Sequence, residues 1–100
     1  MEVKIEKTGE DLTVKFIGRL DTAASQEVAP QMNALKGETS GNIILDFSQM
    51  TYISSSGLRI ILTIRKDATA NGGRVVVRGM NDGIRSVFMM TGFLNLFEIE

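Results

Sequence analysis

Two short, almost unbroken apolar runs, Ile43-Ile44-Leu45-Asp46-Phe47 and Val75-Val76-Val77 between Arg74 and Arg78, most narrow what this chain can become. Each has strand length and does not alternate, the pattern of a strand covered on both faces. Each is followed by a segment with helical spacing: Leu58, Ile61, Leu62, Arg65 and Ala68 after the first, Ile84, Val87, Phe88 and Thr91 after the second. Strands separated by helices favour parallel crossovers. Upstream, Val3 and Ile5 alternate with charged residues, Thr8-Gly9-Glu10-Asp11 turns the chain, and Leu12, Val14 and Phe16 alternate again, which predicts an antiparallel hairpin with one buried face. Between hairpin and first run, Val28, Met32 and Leu35 mark a helix that Asp21 or Thr22 caps and Gly37 stops. Pro30 within it predicts a kink or a late start. Asn71-Gly72-Gly73 stops the second helix, Asn81 or Asp82 caps the third, Gly92 stops it, and Leu94 to Ile99 reads as a last short strand or extended tail. The order β-β-α-β-α-β-α-β defines an α/β fold with a mixed sheet, and 100 residues suffice for one domain spanning 1–100.

Composition removes several functions. The chain has no His and no Cys, so imidazole bases, thiolate nucleophiles, disulfides and the usual zinc ligands are absent. Eleven basic against 12 acidic residues give a formal charge of −1, which argues against a general grip on nucleic acid. No apolar run reaches the roughly 18 residues of a membrane span, and Met1-Glu2-Val3-Lys4 lacks a signal-peptide core, so no membrane insertion and a cytoplasmic location are expected. Six Met residues read as core fillers.

Chemistry concentrates in Asp46-Phe47-Ser48-Gln49-Met50-Thr51-Tyr52-Ile53-Ser54-Ser55-Ser56-Gly57-Leu58. Its polar part reads as a loop that runs from a central strand into an amphipathic helix. A helix's first turn carries free N–H groups and about half a positive charge, so an anion placed there is stabilised. A phosphoserine would exploit this strongly, since a phosphate adds about −1.5 to −2 charges and three acceptor oxygens. Serine is also a preferred cap, so Ser54-Ser55-Ser56-Gly57 is equally readable as a cap and turn. A Ser/Gly loop between strand and helix can also cradle a nucleotide phosphate, but neither G-x-x-x-x-G-K-[ST] nor G-x-G-x-x-G is present. A serine hydrolase is disfavoured by the missing His base and the missing G-x-S-x-G. Asp46 reads as a loop-ordering carboxylate; one carboxylate is not a metal site.

Gly18-Arg19-Leu20-Asp21, Ile44-Leu45-Asp46-Phe47-Ser48, Ile53-Ser54-Ser55-Ser56-Gly57-Leu58, Gly72-Gly73 and Thr91-Gly92-Phe93 together resemble, in order, the motifs of the STAS domain of bacterial anti-sigma factor antagonists (anti-anti-sigma factors). The resemblance spans nearly the whole chain. It implies a phosphorylation-switched binding module, not an enzyme and without cofactor, metal or catalytic residue of its own. Its partner would be an anti-sigma factor with serine kinase activity, with a serine phosphatase as a further candidate. By resemblance the phosphoacceptor is Ser56, with Ser55 as runner-up and cap-forming neighbour. The binding surface would include Asp21, Thr22, Ser54, Ser55, Ser56, Gly57, Leu58 and Arg59, with Lys66 a further candidate contact and no role assigned to Met50 or Tyr52. Asp21 would help shape the acceptor site. Two departures stand out: Ser54 replaces the family's Asp, leaving a hydroxyl able to cap, and the sequence ends at Glu100 where members often add a helix, which implies a smaller or different partner surface. The alternative within the family is a transporter-associated STAS subunit or a nucleotide-binding regulatory module.

Overall fold

The structure, a computed structural model, describes residues 1–38 and 40–100. Among the described residues, β1 (Glu2–Thr8), β2 (Asp11–Leu20), β3 (Asn42–Ile53), β4 (Arg74–Arg78) and β5 (Glu98–Ile99) form one sheet, and α1 (Thr22–Asn33), α2 (Ser55–Ala70) and α3 (Asp82–Met90) connect its parallel members. Strands lie in chain order across the sheet; β1 is antiparallel to β2, and every other neighbouring pair is parallel. The mixed α/β sheet expected from the sequence is therefore present.

The strand order has a consequence the apolar runs did not reveal. A sheet that advances in one direction through right-handed crossovers receives all its helices on one face. Leu12, Val14, Phe16, Ile43, Leu45, Phe47, Val75 and Val77 are buried on that face. Thr13, Lys15, Ile44, Asp46 and Val76 point to the other and are only half-buried. The expectation of coverage on both faces is thus corrected: Ile44 and Val76 fill out unbroken runs while lining the open side.

Edge-to-face phenylalanines thread the core, with ring centroids 5.6 Å apart for Phe16 and Phe47 and 6.0 Å apart for Phe47 and Phe88. Val3 packs against this core, whereas Ile5 is 42% exposed, so the hairpin's outer strand buries less than its alternation predicts. Pro30 does not delay α1, which begins at Thr22 and runs three residues past it to Asn33. The missing proline N–H removes the single bond that residue 30 would donate to the Gln26 carbonyl, and the helix continues past it. Gly37 lies in a separate 3-10 turn, Lys36–Glu38, and does not stop the helix. Leu94 belongs to a second 3-10 turn, Phe93–Asn95, ahead of β5.

The largest revision concerns Ser48 to Ile53, which continue β3 instead of forming a loop. Pairing with β2 slips by one residue twice, between the partners of Lys15 and Ile17 and between those of Gly18 and Arg19. Each slip is a bulge that inserts one extra residue in β3. Buried positions consequently run 43, 45, 47, 50, 53, a spacing of two that becomes three. Gly79, at φ +77°, faces the first bulge so closely that a Cβ would stand 2.8 Å from the Ser48 nitrogen.

Phe47→Ala, in the middle of the aromatic chain, is expected to cost about 3–5 kcal/mol in urea unfolding, and Ile44→Ala clearly less. Equal costs would mean that the second face is covered after all.

Candidate functional site

β2 and β3 end side by side, and the helix that follows each begins at once. Leu20 pairs with Ile53, and the Ser54 N–H donates to the Leu20 carbonyl at 2.9 Å. Asp21 caps α1 by accepting the Ala24 N–H on Oδ1 at 2.9 Å, and Ser54 caps α2 by accepting the Gly57 N–H on Oγ at 3.1 Å. Two helix N-termini, each with its positive end of the peptide dipole, therefore open at the same rim of the sheet. Neither first turn contains an acidic side chain; the Asp21 cap brings a carboxylate to this junction, and Glu2 and Glu27 line the same surface hollow.

The serine triplet divides into distinct roles. Ser54 is buried and is the cap, a role expected for Ser55; the hydroxyl that stands where the family has Asp does the capping. Ser55 is exposed and Ser56 half-buried. Neither hydroxyl has a hydrogen-bond partner among the described residues. Gly57 is required by contact: a Cβ there would meet Leu20 Cγ at 2.8 Å and Ile53 Cγ1 at 2.9 Å, so the first turn of α2 rests directly on the ends of β2 and β3.

Of the residues expected on a partner surface, Thr22, Ser55 and Arg59 are exposed and Asp21 and Ser56 partly so. Ser54, Gly57 and Leu58 are buried. These three hold the turn in place and do not present it, because the cap, the close approach and the first core contact of α2 all point inward. Arg59 lies on the groove between α1 and α2, with Ala29, Met32 and Thr63, and Lys66 is exposed further along α2.

Met50 is buried, but Tyr52 is 41% exposed and carries the Arg19 guanidinium 4.5 Å above its ring centroid. The sequence left Tyr52 undecided because the second bulge sets which way it faces. Asp46 accepts the Ser48 N–H at 2.9 Å and so orders the first bulge. Partial burial pushes its pKa up, but hydrogen bonds from the Ser48 side chain and backbone, with Arg78 and Lys15 nearby, outweigh this and hold it below the ordinary 3.8. Among the described residues, no group of three or more acidic side chains comes together as a cation site would need, and no helix is long and apolar enough to cross a membrane.

The chain belongs to the STAS domain family, whose model matches residues 2–100. It is 26% identical to BtrV of Bordetella bronchiseptica, named as a candidate anti-sigma factor antagonist, over 99% of this chain and 85% of that protein. It is 25% identical to the anti-sigma-B factor antagonist of Staphylococcus aureus, over 100% of this chain and 94% of that one. Among solved structures, a candidate anti-sigma factor antagonist from Thermotoga maritima superposes with a TM-score of 0.85 at 19% identity, over 97% of this chain and 84% of that one. Unphosphorylated SpoIIAA superposes with a TM-score of 0.78 at 20% identity, over 99% and 87%.

Two measurements probe this junction. Ser54→Ala should lower unfolding free energy by about 0.5–2 kcal/mol through loss of the cap, while Ser55→Ala, at an exposed position, stays within about 0.5 kcal/mol. Asp46, whose folded pKa is depressed, contributes stability that is present above 3.8 and lost as pH falls through the folded value. The stability gap between wild type and Asp46→Asn should therefore be open at neutral pH and close in acid.

Proposed function

We propose that this chain is an anti-sigma factor antagonist, a binding module that holds an anti-sigma factor kinase when unmodified and releases it when phosphorylated on the first turn of α2. The observation that carries this reading is Ser55, exposed and without a hydrogen-bond partner among the described residues, on a helix N-terminus fixed to the sheet rim. The relatives named anti-sigma factor antagonists give the reading its partner class.

Exposure favours Ser55 over Ser56, the acceptor that the family resemblance put first. A kinase must bring the γ-phosphorus of ATP in line with the attacking oxygen, and the exposed Ser55 meets that need better than the half-buried Ser56. We therefore take Ser55 as the acceptor, with Ser56 as its alternate. In the transfer, Oγ attacks the γ-phosphorus, ADP leaves, and the hydroxyl proton passes to a base on the kinase, so this chain need supply only the oxygen. Thr22, Asp21 and Arg59 would flank the contact.

The new phosphate acts on the partner more than on the fold. At a helix N-terminus it is favoured by about 0.3–1 kcal/mol. Against one partner carboxylate about 6 Å away, at an effective dielectric of about 20, each unit charge is repelled by roughly 3 kcal/mol, about two decades of affinity. The unphosphorylated and phosphorylated structures of SpoIIAA each match the present fold with a TM-score of 0.78.

Incubation with the cognate kinase and ATP, followed by mass spectrometry, should show one added phosphate in wild type that is lost in Ser55→Ala. Loss in Ser56→Ala alone moves the acceptor to its neighbour, and unchanged labelling in both overturns the reading. Ser55→Asp should keep its circular dichroism spectrum while binding the kinase more than tenfold less tightly.

A further inference from the structure

The outer edge of the sheet is formed by β1, which pairs with β2 on one side only among the described residues. Glu2, Lys4 and Glu6 point to the helix-free face; Val3 and Ile5 point to the helix side, where Ile5 remains 42% exposed. None of Glu2, Lys4 and Glu6 has an ion-pair partner among the described residues. Lys4 stands directly across from Lys15 of β2, a like-charge pair that disfavours itself.

Charges on an edge strand ordinarily deter a second strand. Here the deterrent has two gaps, a short one about Val3 that sets Glu2 on Lys4 and a longer one about Ile5. Two copies of the same edge can meet antiparallel only about a two-fold axis perpendicular to the sheet, which pairs residues that share a face. With Ile5 on that axis, Ile5 meets Ile5, Lys4 meets Glu6 and Glu6 meets Lys4, Val3 meets the stem of Lys7, and the whole of Glu2–Thr8 is used. Moving the axis to Lys4 sets Lys4 on Lys4 and Glu2 on Glu6; moving it to Glu6 sets Glu6 on Glu6.

We propose that β1 is a self-association edge, and that its partner is a second copy of this chain, paired antiparallel about Ile5. The incoming Glu6 supplies the carboxylate that Lys4 lacks beside Lys15, and the two Ile5 side chains cover each other. The joined sheet keeps all helices on one side. It sets the two α2 turns at opposite ends, both free. One strand pair buries less than the roughly 1,200 Å² of a stable interface, so the dimer is weak and reversible.

The test is sedimentation equilibrium of the full chain up to about 1 mM, a range that resolves weak association. Wild type should show a monomer–dimer equilibrium. Lys4→Glu and Glu6→Lys should each weaken it about tenfold or more, since each change acts twice across the axis. The double variant Lys4→Glu/Glu6→Lys should recover it, and an equimolar mixture of the two single variants should associate more tightly than either alone. Lys4→Glu also replaces a like-charge contact with Lys15 by an opposite one, so it folds at least as well as wild type; circular dichroism checks this. A wild type that stays monomeric throughout, a dimer unmoved by both single variants, or a double variant no better than the singles each overturns the proposal.

Discussion

The hydrogen bond from the Ser54 N–H to the Leu20 carbonyl is the last rung between β2 and β3 and the first fixed point of α2. Because the cap residue is itself tied to the ladder, the helix starts without slack. Gly57 then lets the first turn settle onto Leu20 and Ile53, and the Asp21 cap does the same for α1 one strand away. The positions of Ser55 and Ser56 are consequences of these contacts. They ride on a turn whose every other member faces inward.

Strand order governs the rest of the surface. Because the sheet advances in one direction, the helices cover one face and leave a charged, half-apolar surface on the other. The same order leaves β1 as a full-length edge and β5 as a two-residue one. The candidate site lies where the parallel strands end, and Met1 and Glu2 at the near end of β1 share a surface hollow with Asp21 and Ala24.

Much of this was legible beforehand, and the failures share a cause. Helix spacing gave α2 and α3, and the caps at Asp21 and Asn81 sit where their side chains satisfy open N–H groups. The STAS motifs placed the serines correctly at a helix start. What escaped was the second half of β3, because two bulges convert the period of two into the spacing of Phe47, Met50 and Ile53, which no strand template matches. The same bulges decide that Met50 is buried and Tyr52 exposed. Which face of a strand stays open depends on the handedness of crossovers elsewhere, so Ile44 and Val76 could not report it locally. The division of labour among Ser54, Ser55 and Ser56 required knowing which residue begins the helix, a boundary that three identical side chains cannot mark.

The missing slack between strand and helix has a kinetic meaning. A flexible connection would let a modified side chain swing aside, and the message would then depend on how fast the segment rearranged. Under the proposed modification the reporter would be mounted like a stud on a frame, its state set as soon as the covalent bond forms or breaks. On the proposed reading, the tempo of the response would belong to the enzymes that write and erase the mark, and a simple thermometer of their balance would be the fraction of chains carrying it.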